Sequence, residues 1–213
     1  MTDRPQTQEP DPDPDPSDIS TEEWNFVAPA PDDAFLWTEL VRAAIARNHP
    51  WRQPVLATTC ARRGAQARTV VLREVDTARR TLLLYTDTRS PKVAQLDADP
   101  RAQIVCWSPA LGWQLRLSVE IGGETEGPDV TSRWALLRHT RAAQDYLSPQ
   151  APGSALPTSG NAAAAPAGEP RGAFAVLRAR VLEMDWLALD PAGHRRAMFD
   201  YRGAAPQVRW LVP

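Results

Sequence analysis

Arg68-Thr69-Val70-Val71-Leu72-Arg73, Leu82-Leu83-Leu84-Tyr85-Thr86, Ser90-Pro91-Lys92 and Gln114-Leu115-Arg116 belong to one stretch, Arg68 to Gln114, whose reading decides the fold. The first piece is an apolar strand bracketed by arginines. The second is an apolar strand that ends in two hydroxyl groups. The third has the form of a helix start, because serine is a favoured N-cap and proline is favoured at the first helical position. The fourth opens a further strand. Folded together, these pieces put cationic side chains beside a helix N-terminus, a combination suited to holding a phosphate.

Working outward, residues 32 to 48 carry Phe35, Leu36, Leu40, Val41, Ala44 and Ile45 at helical spacing, with Asp32 and Asp33 at the start and Pro50 and Pro54 beyond the end. Val55 to Cys60 reads as a strand, Arg62 to Gln66 as a turn, Arg68 to Val75 as a second strand and Thr81 to Thr86 as a third. Ser90 to Leu96 is a short helix stopped by Asp99-Pro100, and Ala102 to Trp107 is the fourth strand. From 114 to 121 the polar residues Gln114, Arg116, Ser118 and Glu120 alternate with Leu115, Leu117, Val119 and Ile121, the period of a half-buried strand. Gly122-Gly123 is expected to break it. Residues 128 to 147 read as helical, Phe174 to Leu189 as strand, and Val208 to Val212 as a last short strand. Short strands at regular spacing with few helices predict a mainly β fold with attached helices (α+β), built on a small barrel.

The flanks differ in kind. Residues 1–22 are dominated by Asp/Pro repeats such as Asp11-Pro12-Asp13-Pro14, which bury nothing and are expected to be disordered. Residues 23–213 are expected to form a single domain, interrupted by an Ala/Pro/Gly/Ser-rich flexible loop at 148–171. A chain of 213 residues with 43% hydrophobic content supports one real core. No apolar run approaches the ~20 residues of a membrane helix. Residues 1–20, with no apolar core and no basic start, are not expected to act as a secretory signal, and a net charge of −2 gives no reason to expect nucleic-acid binding. Cys60 and Cys106 lie in apolar runs and read as reduced core residues of a cytoplasmic protein. The three histidines are scattered and no ligand cluster has metal spacing, so no metal is expected.

Each candidate residue has an ordinary alternative. Ser90 and Lys92 also fit plain capping with a solvated lysine, and Arg68 a rim charge. Arg73 lies five residues from Arg68, an odd offset that puts it on the other strand face unless a bulge or twist intervenes. Arg68 is therefore the expected phosphate ligand, with Arg73 nearer a substrate. Gln114 offers both a donor and an acceptor, which fits the pyrimidine edge of a flat ring or simply a wet strand face.

Taken in order, RTVVLR, LLLYT, TRSPKVAQL, DPRAQIVCW and WQLRL resemble the pyridoxamine-5′-phosphate-oxidase-like family of FMN-binding split barrels, over about Pro54 to Glu120. The closing Arg209-Trp210-Leu211-Val212-Pro213 is similar to that family's C-terminal end. The resemblance implies an FMN-binding split β-barrel, a homodimer with FMN at the subunit interface, and a small-molecule substrate oxidised or reduced by the flavin. It also implies that Arg68, Thr69, Val70, Val71, Tyr85, Thr86, Ser90, Lys92 and Gln114 contact the cofactor, with no catalytic side chain required. Arg73 and Arg141 become candidates for an anionic substrate. The chain departs from the oxidase where Arg73 replaces a lysine, where Pro91 replaces an arginine, and where Leu137, Arg141 and Asp145 retain only the arginine of a substrate-phosphate trio. Those departures imply a rebuilt substrate pocket. A flavin carrier or sensor, or a barrel holding haem or a deazaflavin, are the alternatives.

Overall fold

The computed structural model describes residues 32–155, 173–203 and 205–213. The expected disordered tail, the start of the domain up to residue 31, and residues 156–171 of the expected flexible loop lie outside the described residues. The elements run α1 (Asp33–Ile45), β1 (Val55–Cys60), β2 (Gly64–Thr69), β3 (Leu72–Asp76), β4 (Thr81–Asp87), α2 (Pro91–Ala98), β5 (Arg101–Ser108), β6 (Trp113–Glu124), α3 (Pro128–Leu137), α4 (Gln144–Leu147), β7 (Phe174–Ala188), β8 (Arg195–Asp200) and β9 (Gln207–Leu211). A 3-10 turn at Pro50–Arg52 precedes β1, and another at Arg141–Ala143 leads into α4.

The antiparallel sheet has the order β2-β1-β5-β6-β7-β4-β3, with β8 branching from β7 and β9 pairing with β8. Its two extreme strands, β2 and β3, are consecutive in sequence and separated only by Val70 and Val71. Strands ~4.8 Å apart would place the edges of a flat seven-strand sheet roughly 29 Å from one another. The Thr69–Leu72 link spans at most about 11 Å. The sheet must therefore curl until its edges approach, without β2 pairing to β3. This is an unclosed, split barrel, and it is the geometric reason the predicted Arg68–Val75 strand is in fact two. The amide of Val70 turns to the carbonyl of Pro54 (3.0 Å) at the break.

The barrel core follows the alternation read from β6. Trp113, Leu115, Leu117, Val119 and Ile121 are buried, beside Leu56, Leu72, Ile104, Cys106, Met184 and Trp186. Contrary to expectation, β6 continues through Gly122 and Gly123 to Glu124, because β7 is long enough to pair with all three. The turn into β6 requires Gly112, whose φ is +61° and where a Cβ would come within 2.7 Å of the Leu189 carbonyl. Cys106 is buried and its thiol is pushed up to about 12. Cys60 is only half-buried, at the end of β1, and both cysteines are free. Helix α1 buries Leu36, Trp37, Leu40 and Ala43 and packs on β3. A second apolar cluster of Leu83, Val130, Trp134, Leu137, Ala143, Tyr146, Phe174 and Val176 seats α3 and α4 on the outer face of β4 and β7. Strand β8 was not anticipated. Among the described residues, no helix is long and apolar enough to cross a membrane, and no group of metal-capable side chains comes together.

Candidate functional site

Strand β4 carries residues to both sides of the sheet. Leu83 and Tyr85 point outward into the α3–α4 cluster, whereas Thr86 points to the start of α2. The sequence pairing of Tyr85 with Thr86 is therefore divided. Adjacent strand residues face opposite ways, and one flat ring cannot lie against both side chains here. The Tyr85 hydroxyl donates to Glu74 Oε1 (2.8 Å), and its ring stacks edge-on against Phe174.

On the Thr86 side, Ser90 occupies the N-cap of α2 and Pro91 the first helical position, as the sequence predicts. The serine hydroxyl, however, makes no capping bond to the backbone. It accepts from Lys92 Nζ (2.7 Å), which also donates to Thr86 Oγ1 (3.1 Å). The first turn of α2 is thus left without a side-chain acceptor, the state in which a helix N-terminus attracts an anion.

Arg68 reaches the same region from β2. Its guanidinium donates to Thr58 Oγ1 (2.5 Å) and to Gln95 Oε1 (3.0 Å), with a longer contact to the Leu56 carbonyl (3.5 Å). Gln95 lies one turn beyond Lys92 on α2, and its Oε1 also accepts from Thr58 Oγ1 (2.6 Å). Burial lowers the Lys92 ammonium from the usual lysine value, the charge of Arg68 lowers it further, and Asp87 opposes both. Burial likewise disfavours the charge of Arg68. Two cations 24 positions apart in sequence are therefore near enough to repel one another, and each is satisfied only by neutral oxygens. Such a pair is stabilised when a dianion arrives. Thr58 and Gln95 were missed in the sequence. Their signals were a threonine at a buried position of an apolar strand, and a glutamine on the same helical face as Lys92.

The other candidates separate. Val70 and Val71 lie in the β2–β3 break, and exposed Thr69 lies just before it. Gln114 stands on β6, paired across to Trp107 of β5 and Leu187 of β7. Arg73 is the residue at which β3 slips register against β4. It sits over the Tyr85 ring (5.3 Å to the centroid), on the outward side away from Arg68, and its Nε is buried without an acceptor. It also bonds to Tyr146, whose hydroxyl burial pushes up and Arg73 pulls down, with a net rise. Arg141 is exposed on the 3-10 turn before α4.

The outer face beside Tyr85 is closed by opposite charges. Arg133 grips Glu74 with both forks (2.7 and 2.7 Å), and Arg178 grips Glu124 (2.8 Å) and Asp129 (2.8 Å). Burial raises the Glu74 carboxyl, but bonds from Arg133 and Tyr85 outweigh it and leave it below the usual glutamate value.

The fold is an unclosed split barrel in which two partly buried cations meet at the start of α2. Residues 34–122 match the family model described as "Pyridoxamine 5′-phosphate oxidase, FMN-binding domain". Among solved structures, a pyridoxamine 5′-phosphate oxidase-related, FMN-binding protein from Nostoc punctiforme superposes with a TM-score of 0.66 at 19% identity, over 87% of this chain and 100% of that one. PhzG from Burkholderia lata, in complex with tetrahydrophenazine-1-carboxylic acid, superposes with a TM-score of 0.65 at 19% identity, over 92% and 98% of the two chains. A protein related to general stress protein 26, from Clostridium acetobutylicum, gives 0.51 at 13% identity, over 78% and 95%. At these identities the likeness establishes the split-barrel fold. Comparison with curated protein sequences returned no match.

Proposed function

We propose that this chain is an FMN-dependent oxidoreductase acting on a small molecule, with the flavin phosphate held by Arg68, Ser90 and Lys92. The observation that carries this reading is the pairing of two partly buried, mutually repelling cations with neutral acceptors alone, at an uncapped helix start. A phosphate dianion fits that donor set in both charge and hydrogen-bonding capacity. FMN, when bound, supplies the electron-transfer chemistry, while the protein binds and orients it. Thr86 holds Lys92 in place, Thr58 and Gln95 hold Arg68, the backbone of Val70 and Val71 lies along the barrel slit, and Gln114 is available for the polar ring edge. Arg73, with its unpartnered Nε, and Arg141 are the candidates for an anionic substrate.

The site is proposed to lie between two copies of the chain. Val208 and Trp210 alternate along β9 and are each 57% exposed, Val212 just beyond it is 87% exposed, and Trp107 beside Gln114 is 45% exposed. Large apolar side chains left in water on an edge strand favour a covering partner.

The test is purification of the full chain and titration with FMN. The expected result is a yellow complex, bleached by a reduced nicotinamide or by pyridoxamine phosphate without oxygen and reoxidised by air. Lys92→Ala should weaken FMN binding by about 1.5–3 kcal/mol, the worth of a charged hydrogen bond. Protein that refuses FMN would end the proposal. A yellow complex that no donor bleaches would make the chain a carrier.

A further inference from the structure

We infer that Arg89, acting through Asp87, is a positioning residue for the cofactor site: it fastens the segment from Tyr146 to Gly153 beside the start of α2 and masks a carboxylate that acts on Lys92. The inference rests on the FMN reading above.

Asp87 ends β4 with its side chain 4% exposed. Its carboxylate accepts from the backbone N–H of Arg89 (2.8 Å), from Arg89 Nε (3.0 Å) and from the second guanidinium fork (2.7 Å). The remaining guanidinium hydrogens reach across to the carbonyls of Ser148 (2.8 Å) and Pro149 (3.2 Å). The backbone reinforces this clamp. The Thr88 N–H donates to Ala173 O (2.8 Å), and the Ala173 N–H donates to Tyr146 O (3.1 Å). Further along, Gly153 adopts a φ of +83°, and a Cβ placed on it would come within 3.9 Å of Pro91 Cγ, in the first residue of α2. One side chain therefore joins the strand that presents Thr86, the turn that presents Ser90, and a distant strap.

The electrostatic role is separate from the mechanical one. Asp87 favours the charged form of Lys92. An uncompensated carboxylate at the same place would repel an incoming dianion, and Arg89 cancels it. Only a planar fork can hold a carboxylate on one edge and two carbonyls on the others. A lysine at this position could keep the charge but not all four contacts.

The experiment measures FMN dissociation by recovery of flavin fluorescence, together with amide hydrogen exchange at Thr88 and Ala173, in the full chain. Arg89→Ala should release FMN about tenfold faster, the equivalent of one charged hydrogen bond, and should expose both amides. Arg89→Lys should fall between. The double variant Asp87→Asn/Arg89→Ala removes the buried lone charge, and so keeps the test alive if Arg89→Ala fails to fold. It should regain thermal stability yet retain fast release and fast exchange. Folded Arg89→Ala with wild-type release would overturn the inference. A double variant with wild-type release would overturn the fastening role, since Arg89 would then act only by masking the Asp87 charge. A wild-type chain that takes no FMN overturns the functional reading itself, before any variant is made.

Discussion

The two faces of β4 use arginine and lysine in opposite ways. On the outer face, Arg133 and Arg178 meet carboxylates at nearly every donor and tie α3 to the sheet. On the inner side, Arg68 and Lys92 meet only hydroxyls, an amide oxygen and a carbonyl. Those ion pairs are electrically complete and need no ligand, whereas Arg73 on the same face keeps a buried Nε without an acceptor. The second is incomplete, because Asp87, the carboxylate that acts on Lys92, is already held by Arg89, and a partly buried cation short of counter-charge is costly unless something negative comes to it. A single strand thus separates a structural charge network from the one proposed to bind.

This contrast can be broken experimentally, most forcefully at Lys92. Lys92→Glu should reduce FMN affinity by more than about 100-fold, because like charges in one site cost several kcal/mol. Fluorescence titration reads this directly, and retained binding would relocate the phosphate. In the wild type, affinity should fall as pH rises through the lowered value of Lys92, earlier than an ordinary lysine would titrate.

On the outer face, Glu74→Gln should cost about 1.5–3 kcal/mol in denaturant stability while leaving FMN affinity unchanged. The sign of its pH dependence is fixed by the lowered Glu74 value. The stabilisation is present above the usual glutamate range and is lost as pH falls through the depressed value. Wild type and variant should therefore converge in acid. A change in FMN affinity would show that the two faces are coupled.

Tyr85→Phe should remove about 1 kcal/mol of stability with little effect on FMN, since its hydroxyl serves Glu74. The smallest effect sharpens the contrast most. Lys92→Met should raise the melting temperature of the FMN-free protein slightly while weakening FMN binding, the mark of a residue kept for binding at some cost to stability. A lower melting temperature would place Lys92 with the structural cations instead.

Much of this was legible in residue order. The cap and proline at Ser90-Pro91 set the start of α2, and the alternation from Gln114 to Ile121 set which side of β6 is buried, because both are contests between neighbouring residues and water. The same rule of alternation could have separated Tyr85 from Thr86, and the odd offset did separate Arg68 from Arg73. Local pattern could not reveal the break at Val70-Val71, since those residues suit a strand and leave it only because the sheet curls. Nor could it reveal that Thr58 and Gln95 hold Arg68, that Ser90 turns from the backbone to Lys92, or that Arg89 reaches Ser148 and Pro149 some 60 positions on. Those contacts depend on where distant segments lie after the barrel closes to its slit. Sequence determined the local elements and supplied the charges. Only tertiary structure decided which charges meet carboxylates and which are left facing neutral oxygens, because a charge's environment is set by its neighbours in space.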